Sequence, residues 1–319
     1  MQLTGNVRGV LLQLAAMGVF ATHDAVIKVL GGSYPSHQIL FFASLLSFPL
    51  VSVILLRDPT SGTLRPNNPG WLVLRTACAI SAGLAGFFAF STLPLTQVYA
   101  ILFTTPLLIT VLSIPVLGEK VGLHRWGAVI VGLCGVLIVL RPGTHPLQPG
   151  HFAAMIGALA SAMVAVVTRK LGSRERPLVL MMWPMLGNFV VTGGALTLQY
   201  QPMPLQDLAL AGLISIFGLA GGLLVIAAYR AGEAAIVAPM QYSQIIWATL
   251  YGWFLFSEVL DLPTLIGALV IIVSGLYIVW REGSGGNSVN RPATAARLRN
   301  ESVTAPRAAI LQRLLHPRR

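Results

Sequence analysis

Long apolar segments, separated by short polar breaks, fill the chain up to about residue 281. A bilayer core is about 30 Å thick and needs roughly 20 apolar residues in a helix. The pattern therefore predicts an all-α integral membrane protein in which short connections make neighbouring helices antiparallel. The ten predicted transmembrane helices cover 9–31, 36–56, 71–91, 95–117, 123–140, 150–171, 178–198, 207–229, 234–256 and 262–281.

The composition excludes a soluble protein. Of 319 residues, 55% are hydrophobic and 10% are charged, whereas soluble domains carry roughly 25% charged residues. Cys78 and Cys134 lie inside apolar runs without CxxC spacing, so we expect neither a disulfide framework nor a metal site. Enzyme motifs are missing as well, and we expect a protein that is not an enzyme and needs no cofactor.

The positive charges indicate the orientation. If the N-terminus is cytoplasmic, every Lys and Arg except Lys28 and Arg141 falls on the cytoplasmic side, as the positive-inside rule requires. We therefore expect both termini in the cytoplasm of a bacterium and the helices in its inner membrane. The net charge of +11 then reflects orientation toward the lipid bilayer, and no nucleic-acid partner is expected. The first segment contains Asp24 and is too long for a signal peptide.

The two halves of the chain resemble each other. Glu119 and Glu258 are separated by 139 residues and end similar motifs, Leu117-Gly118-Glu119 and Phe256-Ser257-Glu258. Glycines follow at comparable distances, at Gly127, Gly132 and Gly135 in the first copy and at Gly267 and Gly275 in the second. This offset equals five predicted helices, so the second copy enters the membrane from the opposite side. Inverted repeats are typical of secondary transporters whose substrate site lies between the halves.

The repeat predicts the domain organisation. Residues 1–143 form the first five-helix repeat, 144–283 form the second, and 284–319 form a basic tail. The tail is poor in large apolar residues, which favours disorder, with a short surface helix over 308–315 as the alternative.

On these motifs, residues 9–283 resemble the EamA family of the drug/metabolite transporter superfamily. The resemblance implies ten helices and transport of a small organic solute by alternating access. Ser257 departs from the pattern, because Gly118 stands at the matching position. Within the family, Asn6-x-Arg8-Gly9, Thr22-His23-Asp24-Ala25 and the stretch 38–42 are similar to the group that imports riboflavin.

Riboflavin uptake is therefore the first hypothesis for function. Export of amino acids or related metabolites is the alternative within the same class. A lipid flippase or a membrane enzyme is the alternative from another class, although the scattered acidic residues do not favour an enzyme.

Ionisable residues inside the predicted helices are candidates for function, because a charge in hydrocarbon is costly. Asp24 and Lys28 lie four residues apart on one helical face. One interpretation is a structural pair near the outer surface. The other places Asp24 and His23 on a central cavity, where they contact substrate or carry a coupling proton. Glu119 and Glu258 are expected to cap the next helix or, with Lys28, to brace a gate.

Polar and aromatic residues near the middle of the predicted helices are the pocket candidates. An aromatic pocket with amide groups suits a planar or amphipathic solute, although packing is the alternative role for each residue. Pro106, Pro184 and Pro239 can bend helices or free carbonyl groups for a cavity. Gly218 and Gly222 favour close packing inside the protein, with a homodimer face as the alternative. The pocket candidates are Tyr99, Thr104, Thr105, Trp183, Asn188, Gln241, Tyr242, Gln244 and Trp247.

Overall fold

The computed structural model describes residues 2–56, 65–119, 121–142, 146–171, 175 and 177–284. The tail expected to be disordered, 284–319, lies outside this range except for Ser284. The described residues form α-helices and one 3₁₀ helix: α1 Gln2–Gly31, α2 Ser36–Leu56, α3 Pro69–Thr92, α4 Leu95–Leu102, α5 Thr105–Leu117, α6 Leu123–Leu140, α7 Pro149–Leu171, α8 Pro177–Leu196, α9 Leu205–Ala231, α10 Ala234–Val237, the 3₁₀ helix Ala238–Ser243, α11 Gln244–Phe256 and α12 Leu262–Ser284.

The predicted class, an all-helical membrane protein, is confirmed. Over the described residues, seven segments are long and apolar enough to cross a bilayer, and two shorter apolar helices cover Ser36–Leu50 and Leu262–Ile278. The seven segments are Gly5–Gly31, Pro69–Thr92, Leu95–Leu117, Leu123–Leu140, Pro149–Leu171, Val179–Leu196 and Leu205–Ala231.

Two of the predicted helices are interrupted near their middle. The segment 95–117 divides between α4 and α5 at Phe103 and Thr104, just before Pro106. The segment 234–256 contains the 3₁₀ helix, which includes Pro239, between α10 and α11. Proline lacks the backbone N–H and clashes with the carbonyl of the preceding turn. Each break therefore interrupts the regular backbone hydrogen bonding of its segment. At the first break, the hydroxyl groups of Thr104 and Thr105 donate to the carbonyl oxygens of Ile101 and Leu102.

Several boundaries differ from the sequence prediction, and the starts of α1 and α3 are two of them. Helix α1 begins at Gln2 rather than at residue 9. The loop expected from residue 57 to 70 ends earlier, because Pro69 opens α3. The first turn of a helix does not use its N–H groups for internal hydrogen bonds, so proline fits there without loss. Residues 57–64 of that loop lie outside the described range.

Long helices pack in pairs: α1 along α9, α3 along α7, and α6 along α12. Small residues make the close contacts possible. A Cβ atom added to Gly135 would lie 2.9 Å from the carbonyl oxygen of Gly267, too close for any larger residue without a shift of backbone. Gly218 and Gly222 on α9 are buried within the protein, which favours internal packing over a dimer face.

Large apolar side chains cover the periphery. Phe254 is 70% exposed, Val190 is 68% exposed and Val273 is 64% exposed. Such a surface would promote aggregation in water, whereas it is compatible with lipid. The interior core, in contrast, gathers around α4, where Leu95, Val98 and Tyr99 are almost completely buried.

Candidate functional site

A cavity lies between the two interrupted segments. Its volume is about 140 Å³, and α4, α5, α7, the 3₁₀ helix and α11 contribute to its wall. The lining residues are Tyr99, Leu102, Phe103, Thr105, Pro106, Ser161, Gln241, Tyr242 and Gln244. The broken helices thus place side chains from both halves of the chain around one space.

Three aromatic rings form a connected part of this wall. Tyr99 and Phe103 lie one turn apart, with ring centroids 6.3 Å apart and an interplanar angle of 29°. Phe103 meets Tyr242 edge to face, with centroids 5.1 Å apart and an angle of 80°. Such rings bind a flat apolar surface well, because they offer both faces and edges for contact.

Amide groups supply the polar part of the wall. Gln241 lies within the 3₁₀ helix, and Gln244 begins α11. The side-chain nitrogen of Gln244 is buried and has no hydrogen-bond partner among the described residues. A buried donor without a partner costs roughly 1–3 kcal/mol. A solute that presents an acceptor to Gln244 would recover this energy.

A buried polar cluster adjoins the aromatic wall. The Tyr99 hydroxyl donates a hydrogen bond to Oδ2 of Asp24, and Oδ1 of Asp24 lies 2.7 Å from Nδ1 of His23. Asp24 is 1% exposed and His23 is 5% exposed. The edge of the His23 ring faces Phe87, with centroids 6.2 Å apart. Tyr99 therefore belongs to both the cavity wall and this cluster.

One ion pair, hereafter the Lys28 pair, joins Lys28 and Glu258. Their Nζ and Oε1 atoms are 2.6 Å apart, and each side chain is 14% exposed. Lys28 also donates to the carbonyl of Leu93, while Oε2 of Glu258 accepts the backbone N–H of Leu95 at 3.0 Å. The structure thus places Lys28 on Glu258 rather than on Asp24. The carboxylate of Glu258 thus lies against the N-terminus of α4, where the helix dipole favours a negative charge. Glu258 was expected to cap the next helix, α12, and instead it accepts from the first residue of α4.

A second ion pair, the Arg169 pair, joins Arg169 and Glu119 at 2.5 Å. Glu119 follows the end of α5, so the length of α4 and α5 separates the two ion pairs. The residues before the two glutamates adopt the same unusual backbone. Gly118 has φ +73° and Ser257 has φ +54°, both in the left-handed region that favours glycine.

The predicted pocket residues separate into groups. The cavity is lined by Tyr99, Thr105, Gln241, Tyr242 and Gln244. Asp24 and His23 lie directly behind Tyr99. The remaining four do not line it: the Thr104 hydroxyl donates to the Ile101 carbonyl, Asn188 donates to Ser44 at 2.6 Å, Trp247 packs beside Gly18, and Trp183 is 39% exposed on α8.

Sequence reasoning missed Leu102, Phe103 and Ser161 as lining residues. Phe103 follows Tyr99 by one helical turn and precedes Pro106, so the spacing could have identified it. Ser161 lies in the alanine-rich middle of α7 and carries no comparable signal.

Comparison with protein families gives a match to the EamA-like transporter family over residues 7–141 and again over residues 148–280. The chain belongs to this family. It is therefore a multi-pass membrane protein of a transporter family, as its resemblance to the EamA family predicted, and each half of the chain carries one EamA match.

Several EamA relatives cover most of the chain. An S-adenosylmethionine uptake transporter of Rickettsia bellii is 26% identical over 268 residues, which is 82% of this chain and 90% of that protein. A riboflavin transporter of Rhizobium johnstonii is 27% identical over 264 residues, 78% of this chain and 83% of that protein. The pseudopaline exporter CntI of Pseudomonas aeruginosa is 25% identical over 271 residues, 83% and 94% of the two chains.

A protein of known crystal structure has a fold similar to that of this chain. It covers 89% of this chain and 100% of its own chain, with a TM-score of 0.55 and 17% sequence identity. The likeness supports the helical architecture. The three relatives described above are transporters or exporters rather than enzymes, which agrees with the expectation that this protein is not an enzyme.

Proposed function

We propose that the protein is a secondary transporter of the bacterial inner membrane that moves a small organic metabolite by alternating access. The observation that carries the proposal is the cavity between two helices broken at matching positions in the two halves. Irregular backbone inside a membrane is tolerated only where protein or a cavity surrounds it. Transporters place substrate sites at such breaks between repeats.

The ten-helix count with two inverted repeats is part of this proposal. Exchanging residues 1–143 with 144–283 converts the contact of α1 with α9 into the contact of α7 with α3. It also converts the packing of α2 against α9 into that of α8 against α3. The contact of α6 with α12 maps onto itself. The double family match supports the same division, and a cytoplasmic N-terminus would place both termini inside.

The two ion pairs fit alternating access. The two pairs occupy corresponding positions in the two repeats. Lys28 and Arg169 are separated by 141 residues and the two glutamates by 139, close to the offset between the repeats. With a cytoplasmic N-terminus, the Lys28 pair closes the outer end and the Arg169 pair closes the inner end. The cavity of about 140 Å³ is smaller than the roughly 300 Å³ of ordinary ligand pockets, so one end must open to admit a solute.

A planar nitrogen-containing ring is the proposed substrate class, with riboflavin as the first candidate. Tyr99, Phe103 and Tyr242 offer stacking surfaces, and Gln241 and Gln244 offer hydrogen bonds to ring nitrogens and carbonyl oxygens. S-adenosylmethionine is the second candidate, because it also carries a planar ring and its positive charge would suit the carboxylate of Asp24 behind Tyr99. The S-adenosylmethionine uptake transporter and the riboflavin transporter among the relatives support these two candidates.

Uptake of labelled riboflavin and, in parallel, labelled S-adenosylmethionine by vesicles containing the purified protein tests the proposal. The variant Gln244→Ala should lose about tenfold in apparent affinity, because a lost buried hydrogen bond costs roughly 1–2 kcal/mol. The matched control is Gln97→Ala on α4, which does not line the cavity and should transport normally.

The two outcomes that contradict the proposal are distinct. Saturable uptake of neither compound by a well-folded protein would remove both candidate substrates. It would favour the alternative, export of amino acids or related metabolites, and one relative is an exporter. Saturable uptake with equal affinity in Gln244→Ala and Gln97→Ala would place the binding site elsewhere.

A further inference from the structure

Three ionisable side chains meet in the interior beside the cavity. Asp24 lies between His23, whose Nδ1 is 2.7 Å from Oδ1, and Tyr99, whose hydroxyl donates to Oδ2. All three side chains are at least nine-tenths buried. A carboxylate at this depth is costly unless it is paired or takes up a proton, so this cluster is a candidate site for an exchangeable proton.

The base in contact with Asp24 is itself titratable. Histidine is the side chain that gains or loses its charge most easily near neutral pH. The other ring nitrogen of His23, Nε2, is buried and has no hydrogen-bond partner among the described residues. A proton that arrives at Nε2 can be followed by transfer of the Nδ1 proton to Oδ1 of Asp24, which leaves a neutral histidine beside a protonated carboxyl group.

The charged groups on the helices packed against α1 contact other partners or lie near helix ends. Helix α4 brings Tyr99, α3 brings the apolar Phe87, and α11 brings Tyr251, whose hydroxyl lies 2.8 Å from that of Thr22. Lys28, one turn further along α1, contacts Glu258. The remaining described charges of the helices packed against α1 lie near helix ends: His37 on α2, Arg75 on α3, Asp207 and Arg230 on α9, with Glu233 before α10.

Tyr99 links the cluster to the cavity. While Asp24 is ionised, the Tyr99 hydroxyl makes a charge-assisted hydrogen bond, which is roughly twice as strong as a neutral one. When Asp24 takes up a proton, this bond weakens and the hydroxyl becomes available to a solute in the cavity. The proton and the solute thus favour each other's binding, and by linkage each changes the affinity for the other by the same factor.

We propose that Asp24, His23 and Tyr99 form the proton-binding site that couples solute uptake to inward proton movement. This inference rests on the proposed transport function and deepens it. Asp24 and His23 hold the proton, and Tyr99 is the residue that transmits its presence to the cavity wall. The predicted exchange is symport, with one proton and one solute moving inward together.

The test uses vesicles containing the full-length protein and labelled riboflavin, with labelled S-adenosylmethionine in parallel. A pH gradient of one unit, acid outside, should raise accumulation by the wild type up to about tenfold for one proton per solute. Asp24→Asn and Tyr99→Phe should lose this response while solute exchange at equal pH continues at a lower rate. Asp207→Asn is the matched control, because that carboxylate accepts the Tyr34 hydroxyl at a helix end and should respond like the wild type.

A second measurement needs no solute. Infrared titration of the purified protein should show a protonated-carboxyl band that Asp24→Asn removes and Asp207→Asn keeps. If neither compound is transported, the proposed substrates fail and this band still tests the proton site. Gradient-driven accumulation that persists in Asp24→Asn, accumulation driven by the opposite gradient, or an identical carboxyl titration in wild type and Asp24→Asn would each overturn the proposal.

Discussion

At the scale of single residues, Ser257 is the position where the second repeat has a serine and the first has a glycine, Gly118. Gly118 and Ser257 end α5 and α11 with φ angles of +73° and +54°, so the turn is the same in both halves. Glycine adopts this conformation freely, whereas other L-residues lose roughly 1–2 kcal/mol. Ser257 therefore holds a strained turn immediately before Glu258, a member of the Lys28 pair.

This strain gives a prediction about stability. Ser257→Gly should leave the turn in place and stabilise the protein by about 0.5–1 kcal/mol, since the left-handed strain is relieved at modest entropic cost. Gly118→Ser should destabilise it by a similar amount. Thermal unfolding of the two variants in detergent checks the result, and a lower melting temperature for Ser257→Gly would show that the serine side chain stabilises the turn.

At the scale of elements, the interruption between α4 and α5 decides where the cavity lies. The break places Phe103 in the wall, and α5 begins immediately afterwards with Thr105 and Pro106, which also line the cavity. Pro106 cannot donate a backbone hydrogen bond to the preceding turn. The interruption is therefore maintained by a covalent property of one residue and does not depend on packing alone.

Removal of that proline gives a prediction about transport. Pro106→Ala should allow α4 and α5 to join into one helix, which would preserve or raise stability and lower solute uptake by at least tenfold. Pro184→Ala is the matched control, because Pro184 lies inside α8 and does not line the cavity. Uptake and melting temperature are measured together. Normal uptake by a stable Pro106→Ala protein would show that transport does not require the interruption between α4 and α5.

At the scale of the whole molecule, the Lys28 pair and the Arg169 pair lie at opposite ends of the segment formed by α4 and α5, and in the proposed mechanism they gate the cavity from opposite sides. Removing one charge from a pair weakens it while the other pair is unchanged. A weakly exposed ion pair contributes about 1 kcal/mol, which corresponds to a roughly fivefold shift between two conformations. The substitution Glu→Gln keeps the side-chain shape and one acceptor oxygen, so it tests the charge.

The predicted effect has opposite directions for the two glutamates. Glu258→Gln should increase access to the cavity from outside, and Glu119→Gln should increase access from the cytoplasm, each by about fivefold. Labelling of Ser161→Cys with a membrane-impermeant thiol reagent, after replacement of Cys78 and Cys134, measures this access from each side. Equal labelling of both variants from one side would contradict the assignment of the two pairs to opposite gates.

The contact partners of Lys28 and Asn188 could not be predicted from the sequence. Asp24 lies four residues from Lys28 on one helical face, so local spacing suggested that they interact. The structure instead joins Lys28 to Glu258, which is 230 residues away in the chain. Similarly, Asn188 was a reasonable pocket candidate by its depth, yet the rotation of α8 turns it toward Ser44 on α2. Spacing along a helix defines its faces, but not which neighbour each face meets.

The sequence by itself determined the features that depend on local physics. The length and polarity of each apolar segment decide whether it can reside in a bilayer, proline limits where a helix continues, and the Gly118 and Ser257 motifs reveal the repeat. Tertiary structure decided how these parts combine. It placed Tyr99 between Asp24 and the cavity, brought Ser161 to the wall and assigned the partners of Lys28 and Glu119, because such contacts depend on how helices distant in the chain rotate and pack against each other.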